Sequence, residues 1–173
     1  MKEITKILSD EHKNILIVVE ALSNKCKKLS KEEIDREFFG DVIDFIKNYA
    51  DKYHHAKEED ILFREFCREA EGGKVHCNPV EQMLYEHNLG REFVKQIEKG
   101  LKDSNKSEIS EGAERYSQLI QEHIFKEDNI LYPMTEEYLD ENIQKKMLDE
   151  FKKIEQKRKK EIEKYLNFVR SLR

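Results

Sequence analysis

The chain has 173 residues, enough for one domain with a sizeable buried core. Charged residues make up 40% of it and the formal net charge is −5, which argues against a nucleic-acid partner; no apolar run is long enough to span a membrane. The opening stretch MKEITKILSDEHK lacks the apolar segment and cleavage site of a signal peptide, so the chain reads as cytoplasmic.

With only 6 Gly and 2 Pro, and abundant Lys, Glu, Ile and Leu, the composition predicts long helices and an all-α fold. A first helix from about Ile4 to Leu29 carries an apolar stripe at Leu8, Ile15, Val19, Leu22, Cys26 and Leu29, and His12 falls on its backward continuation. Ser30 answered by Glu33 suggests a capping box in the following turn. A second helix, Ile34 to Ala70, shows Val42, Ile46, Ala50, His54, Glu58 and Ile61 or Leu62 on one face, and Gly72-Gly73 ends it. The third helix, Pro79 to Leu101, repeats the pattern with Val80, Met83, His87, Gly90, Val94 and Ile97. In the fourth, the stripe is Ile109, Ala113, Tyr116, Ile120, His123, Glu127, Ile130 and Met134, and Pro133 should kink or end it near Tyr132. A fifth helix, Glu136 to Leu172, carries Leu139, Ile143, Met147, Phe151, Ile154, Ile162, Leu166 and Val169, with Lys157-Arg158-Lys159-Lys160 on a solvated face. The expected organisation is an up-down-up-down antiparallel four-helix bundle over residues 1–135, with residues 136–173 as an amphipathic helix packed on it. Cys67 and Cys77 flank a loop and could approach each other, but in a reducing cytosol free thiols are expected.

One phrase occurs twice. His54-His55-Ala56-Lys57-Glu58-Glu59-Asp60-Ile61-Leu62-Phe63 aligns with His123-Ile124-Phe125-Lys126-Glu127-Asp128-Asn129-Ile130-Leu131-Tyr132. Both contain His-x-x-x-Glu, which on a helix points imidazole and carboxylate the same way. Glu11-His12 and Glu86-His87 form a second matched pair, so each half is a helical hairpin giving one lone His and one His-x-x-x-Glu. A buried carboxylate costs several kcal/mol, of the order of 2 or more, unless it is paired or coordinated. No Lys or Arg shares these stripes, so a divalent cation is the natural counter-charge. Imidazole with carboxylate and no thiolate suits iron, and also admits zinc or manganese. Two bridging glutamates with two histidines for each ion leave positions open for a small ligand such as O2, NO or peroxide. The order and spacing exclude a straightforward ferritin-like assignment, where Glu-x-x-His alternates with lone Glu.

The ordered set His12, His54-x-x-x-Glu58, His87 and His123-x-x-x-Glu127 resembles the signature of hemerythrin-like (HHE cation-binding) domains, over about residues 1–135. The resemblance implies a four-helix bundle with two non-haem iron ions, bridged by two carboxylates and an oxo or hydroxo species. It also implies roles in oxygen carriage, oxygen or iron sensing, or di-iron proteins of nitrosative stress and repair. The chain departs from the oxygen carriers on its third helix, where they have His-x-x-x-His. Here His87 stands alone, with Met83 four before and Arg91 four after, which argues against reversible O2 transport. Asp128 sits at the oxygen carriers' fourth-helix spacing, but helical phase and the match to Glu58 favour Glu127. His55, rotated about 100° from His54 on an α-helix, is expected to hydrogen-bond or sit at the rim, Tyr116 in the core, and Glu59 and Asp128 behind the ligands. His76 is expected to be exposed and unrelated. The alternatives are a repair or iron-donating protein, or a metal-stabilised regulatory bundle whose fifth helix docks a partner.

Overall fold

A computed structural model describes residues 2–71 and 77–173, and the described residues are helical, with no strand among them. α1 is Glu3–Leu29, α2 covers residues 36–71, α3 is Asn78–Asp103, α4 covers residues 106–138 and α5 is Glu141–Ser171. α1 packs on α2 and α4, and α3 packs on the same two, which closes a four-helix bundle; α5 lies along α1 and α2. No helix among the described residues is long and apolar enough to cross a membrane. The expected stop at Gly72-Gly73 and the placement of His76 fall outside the described residues.

The helix starts follow capping chemistry. Asp35 accepts from the Phe38 amide at 3.1 Å, Asn105 from Glu108 at 3.2 Å and Asp140 from Ile143 at 2.9 Å. Asp35 thus replaces the expected Ser30–Glu33 box, because α2 begins at Arg36 and leaves Ser30 at the end of α1. α3 and α4 approach closely at two glycines. A Cβ on Gly112 would come 2.9 Å from Ile97 Cγ1, and one on Gly100 would come 2.8 Å from the Ile109 nitrogen.

Two helices change their winding. Ile46–His55 and Glu58–Phe63 in α2, and Glu127–Leu131 in α4, are π-helical turns with i→i+5 bonding. The buried residues explain why. Val42, Ile46, Ala50, His54, Glu58 and Leu62 recur at a strict step of four. On an α-helix that step drifts by about 40° each time, roughly 200° over the run, and would carry half of them out of the core. The wider π turn drifts the other way, so alternating windings hold all six on one face.

In α4 the same step links His123, Glu127, Leu131 and Thr135, all buried. Leu131 therefore takes the inward place expected for Ile130, which is 52% exposed. Pro133 does not end the helix, which runs on to Tyr138. The π turn just before it already interrupts the α ladder, so the missing proline N–H falls at a junction between windings.

Two apolar clusters fill the bundle. One gathers Ile15, Val19, Phe45, Tyr49, Val94, Ala113 and Ile120; the other gathers Leu8, Leu62, Phe66, Met83, Leu131, Met147 and Phe151. The predicted histidines and glutamates occupy the layer between them. Met147, Phe151, Tyr165 and Val169 of α5 are buried on the bundle. Arg158 is not simply solvated: its guanidinium donates to the Asn48 carbonyl at 2.9 Å and to the Lys52 carbonyl, within the first π stretch. Cys67 and Cys77 are joined as a disulfide with Cα atoms 5.5 Å apart, correcting the expectation of free thiols. Cys26 is free, and burial pushes its thiol up to about 11.

Candidate metal centre

The layer between the clusters brings together all six residues singled out by the sequence. His12, His54, His87 and His123 are each about 1% exposed, and Glu58 and Glu127 are fully buried. They fall into two overlapping groups. His12, His54, Glu58 and Glu127 offer ligand atoms within 4.8 Å of one another, and so do His55, Glu58, His87 and His123. Glu58 belongs to both: its Oε2 is 3.5 Å from His54 Nε2 and 3.6 Å from His87 Nε2. Glu127 spans the same divide, with Oε2 3.2 Å from both His12 Nε2 and His123 Nε2. Each group could hold a cation, and the two carboxylates lie between the groups.

His55 corrects the rim expectation. It is 6% exposed and stacks on His87, ring centroids 3.7 Å apart and planes 14° apart. The reason is the winding. An α-helix turns about 100° between neighbours, but a π turn rotates less per residue, so both tandem histidines reach the inner side. The centre therefore gathers five imidazoles, two in one group and three in the other.

Four of the five histidines are held from behind by a carboxylate at Nδ1. Glu11 holds His54 at 2.9 Å, Glu86 holds His123 at 2.9 Å, Glu59 holds His87 at 2.7 Å and Asp128 holds His12 at 3.0 Å. Asp51 stands 3.5 Å from His55 Nδ1, an ion-pair distance without hydrogen-bond geometry. An ionised carboxylate only accepts, so these contacts put the proton on Nδ1 and aim the Nε2 lone pair inward. The hairpin repeat runs through this outer layer too. The glutamate before each lone histidine serves the other helix's histidine, and the residue after each bridging glutamate serves a lone histidine. Lys57 and Lys126 close the pattern by pairing with Glu11 and Glu86. Lys57 is fully buried, its ammonium 4.0 Å from the Tyr53 ring centroid and 5.0 Å from that of Phe151 on α5.

The aligned phrases end on different aromatics, and that difference matters. Phe63 stacks on His87 at 6.0 Å and Tyr132 stacks on His12 at 5.6 Å. Only Tyr132 carries a hydroxyl, which donates to Glu58 Oε1 at 2.5 Å and lies 3.3 Å from His12 Nε2. Sequence reasoning missed this residue, although the Phe/Tyr mismatch in the repeat was the signal.

The donor set fits a pair of cations. Glu58 Oε2 and both oxygens of Glu127 are buried without a hydrogen-bond partner. His87 Nε2 and His123 Nε2 face each other at 3.0 Å, two lone pairs that repel unless positive charge lies between or on them. Burial and the charge of Glu127 push the Glu58 carboxyl well above the ordinary range. Burial works against charging His12 and His123, yet the carboxylates around them outweigh it and raise them to about 9 and about 10. The centre calls for positive charge from every side. Tyr116 is buried, belongs to neither ligand group, and its hydroxyl has no hydrogen-bond partner.

The family model "Hemerythrin HHE cation binding domain" matches residues 3–135. Neither the curated proteins nor the solved structures gave a match.

Proposed function

The chain belongs to the hemerythrin HHE cation-binding domain family, and we propose that it holds two non-haem iron ions that meet a small oxidant. The observation that carries the reading is the convergence of five inward-facing imidazoles on two carboxylates with orphaned oxygens. His12 and His54 would hold one ion, His55, His87 and His123 the other, and Glu58 and Glu127 would bridge them. A bound iron pair supplies one-electron redox chemistry at each ion toward O2, NO or peroxide. Glu11, Glu59, Glu86 and Asp128 fix the imidazole tautomers, and an apolar cluster packs on either side of the layer. Tyr132 supplies a hydroxyl proton to Glu58 Oε1 and covers the His12 side.

The enclosure supports reaction at the centre over iron donation, since the six histidine and glutamate side chains on the shared stripes are about 1% exposed or less. A partner-docking role for α5 finds little support, because its apolar stripe is spent on its own bundle.

Elemental analysis and the optical spectrum of protein purified with and without air test the proposal. Two irons per chain, with oxo-to-iron charge-transfer bands after exposure to air, are expected. A chain that takes up only zinc, or a single ion, would overturn the redox reading.

A further inference from the structure

The hairpin repeat matches His12 with His87 and His54 with His123. In the same registers Arg91 is matched by Leu16, Asp51 by Ile120 and His55 by Ile124. Ile120 and Ile124 are buried in the apolar cluster on one side of the layer, and Leu16 packs against it. Arg91, Asp51 and His55 are instead a polar set. They line a cleft of about 320 Å³ between α2, α3 and α4, with Gly90 on its wall. Three positions where one half is aliphatic and the other polar thus lie together, all beside the three-histidine half of the centre.

Arg91 joins the set. Its Nε donates to Asp51 Oδ1 at 2.9 Å, its Nη2 to Glu59 Oε1 at 2.8 Å and its Nη1 to Asn88 Oδ1 at 2.9 Å. Glu59 Oε1 is the oxygen that accepts from His87 Nδ1 at 2.7 Å, and Asp51 Oδ1 is the oxygen 3.5 Å from His55 Nδ1. One guanidinium therefore stands behind two of the three imidazoles. The matched carboxylate of the other half, Asp128, accepts from the Ser9 hydroxyl at 2.5 Å, a neutral partner. Without Arg91, Asp51 and Glu59 are two partly buried like charges that repel and turn toward the cleft. Glu59 then releases His87 Nδ1, and the ring loses the acceptor that fixes its tautomer. The planar fork holds both carboxylates at once, which a single ammonium cannot do.

We infer that Arg91 is a positioning residue for the three-histidine half. By clamping Glu59 and Asp51 it keeps the Nε2 lone pair of His87 aimed into the layer and a carboxylate facing His55. Cation binding in this half then depends on Arg91, and binding in the His12–His54 half does not. This role rests on the two-cation reading above and adds what makes its halves unequal.

The test titrates the full-length chain, Arg91→Ala and Arg91→Lys with cobalt(II) against a competing chelator, read by the visible spectrum. The unaltered chain should bind two ions. In Arg91→Ala one of them should bind about 10–100-fold more weakly and the other as before. Arg91→Lys should recover part of the loss. Because Arg91 lines the cleft, its truncation leaves a space that solvent reaches, so millimolar guanidinium chloride should also recover part of it, and sodium chloride at the same concentration should not. In an Asp51→Asn, Glu59→Gln background, Arg91→Ala should add no further loss. In the metal-free protein, NMR should show the His87 Nδ1 proton exchanging faster with solvent in Arg91→Ala, with that of His12 unchanged. Two cobalt ions at unaltered affinity in Arg91→Ala, or an undiminished loss in the Asn–Gln background, would overturn the role. So would equal weakening of both ions, which marks a merely structural residue. An unaltered chain that binds fewer than two ions would overturn the two-cation reading instead, and the metal-free proton exchange would still decide whether Arg91 holds Glu59 on His87.

Discussion

Tyr132 donates its hydroxyl to Glu58 across the bundle at 2.5 Å, whereas the matching position in the other half of the repeat, Phe63, offers only a ring against His87. This single oxygen breaks the two-fold character of an otherwise matched centre. Tyr132→Phe restores the match and strips Glu58 Oε1 of its donor. The iron-loaded variant should hold the ion on the His12 side more weakly than the other. The chelator-treated variant should lose about 0.5–1.5 kcal/mol of stability, the usual net worth of a hydrogen bond. Chelator competition and urea unfolding check the two parts separately.

The two shared carboxylates predict different effects on metal binding and on stability. Burial and the charge of Glu127 hold the Glu58 carboxyl well above the ordinary range, whereas at Glu127 burial is outweighed by His123 and His12, which hold that carboxyl well below it. Either Glu58→Gln or Glu127→Gln should lower metal content. In the chelator-treated protein Glu58→Gln should leave stability nearly unchanged, because a neutral amide replaces a neutral carboxyl of similar shape, while Glu127→Gln should destabilise by about 3–5 kcal/mol, because it strands charged imidazoles in the interior. Elemental analysis and chemical denaturation provide the readings.

Lys57 and Lys126 hold equivalent places in the repeat but differ in cover. Lys57 is fully buried beneath Phe151 of α5, while the Lys126 side chain is 26% exposed. Removing Lys57 strands the Glu11 carboxylate in the interior, which costs about 3–5 kcal/mol. Lys126→Ala should cost clearly less, because Lys126 is partly in solvent and Glu86 keeps a hydrogen bond from Gln82. Urea titration of the two alanine variants distinguishes them.

Arg158 links α5 to the winding of α2. Its guanidinium caps the Asn48 and Lys52 carbonyls, and Lys52 lies two residues before His54. Arg158→Ala should let the π turn relax toward α geometry and rotate His55 outward. Metal affinity in the three-histidine half should drop by about 10–100-fold, the usual effect of losing support behind a ligand. A conservative Arg158→Lys should rescue only in part, since one ammonium cannot match the guanidinium fork.

Acid should weaken the chelator-treated fold through the outer carboxylates. Burial opposes ionisation of Glu59 and Glu86, but hydrogen bonds from His87 and Arg91 to the first, and from His123, Lys126 and Gln82 to the second, bring both down to about 2. A depressed folded value contributes stability that is fully present above the ordinary 4.5 and is lost as pH falls through about 2. Unfolding free energy should therefore decline between those values. Glu59→Gln with Glu86→Gln should flatten the decline.

Much of this was legible because helical periodicity reports which side chains face the core. His12, His87, His123 and Glu127 fell on three-four stripes, and the structure buries each of them. The strict step of four from Val42 to Leu62 also stood in the sequence, and it was the trace of π winding. Read as an α-helix, that run turned His55 outward and made the centre seem one histidine short. Ile130 was misplaced for the same reason. The partners of Tyr132 and Arg158 were not legible, because each acts on a residue of another helix, 74 and 106–110 positions away in the chain.

By itself the sequence determined the helices, the paired hairpins and the histidine–glutamate layer, because hydrophobic phase and repeated motifs are local properties. Tertiary packing decided the rest. The π turns persist because neighbouring helices bury the four-step face and α5 caps the freed carbonyls. Their winding, in turn, set the number of imidazoles. Which half is covered by Tyr132 and which opens at Gly90 depended on contacts between helices far apart in the chain. Local pattern named the histidines and glutamates of the layer, and the winding and packing of the helices chose how they meet.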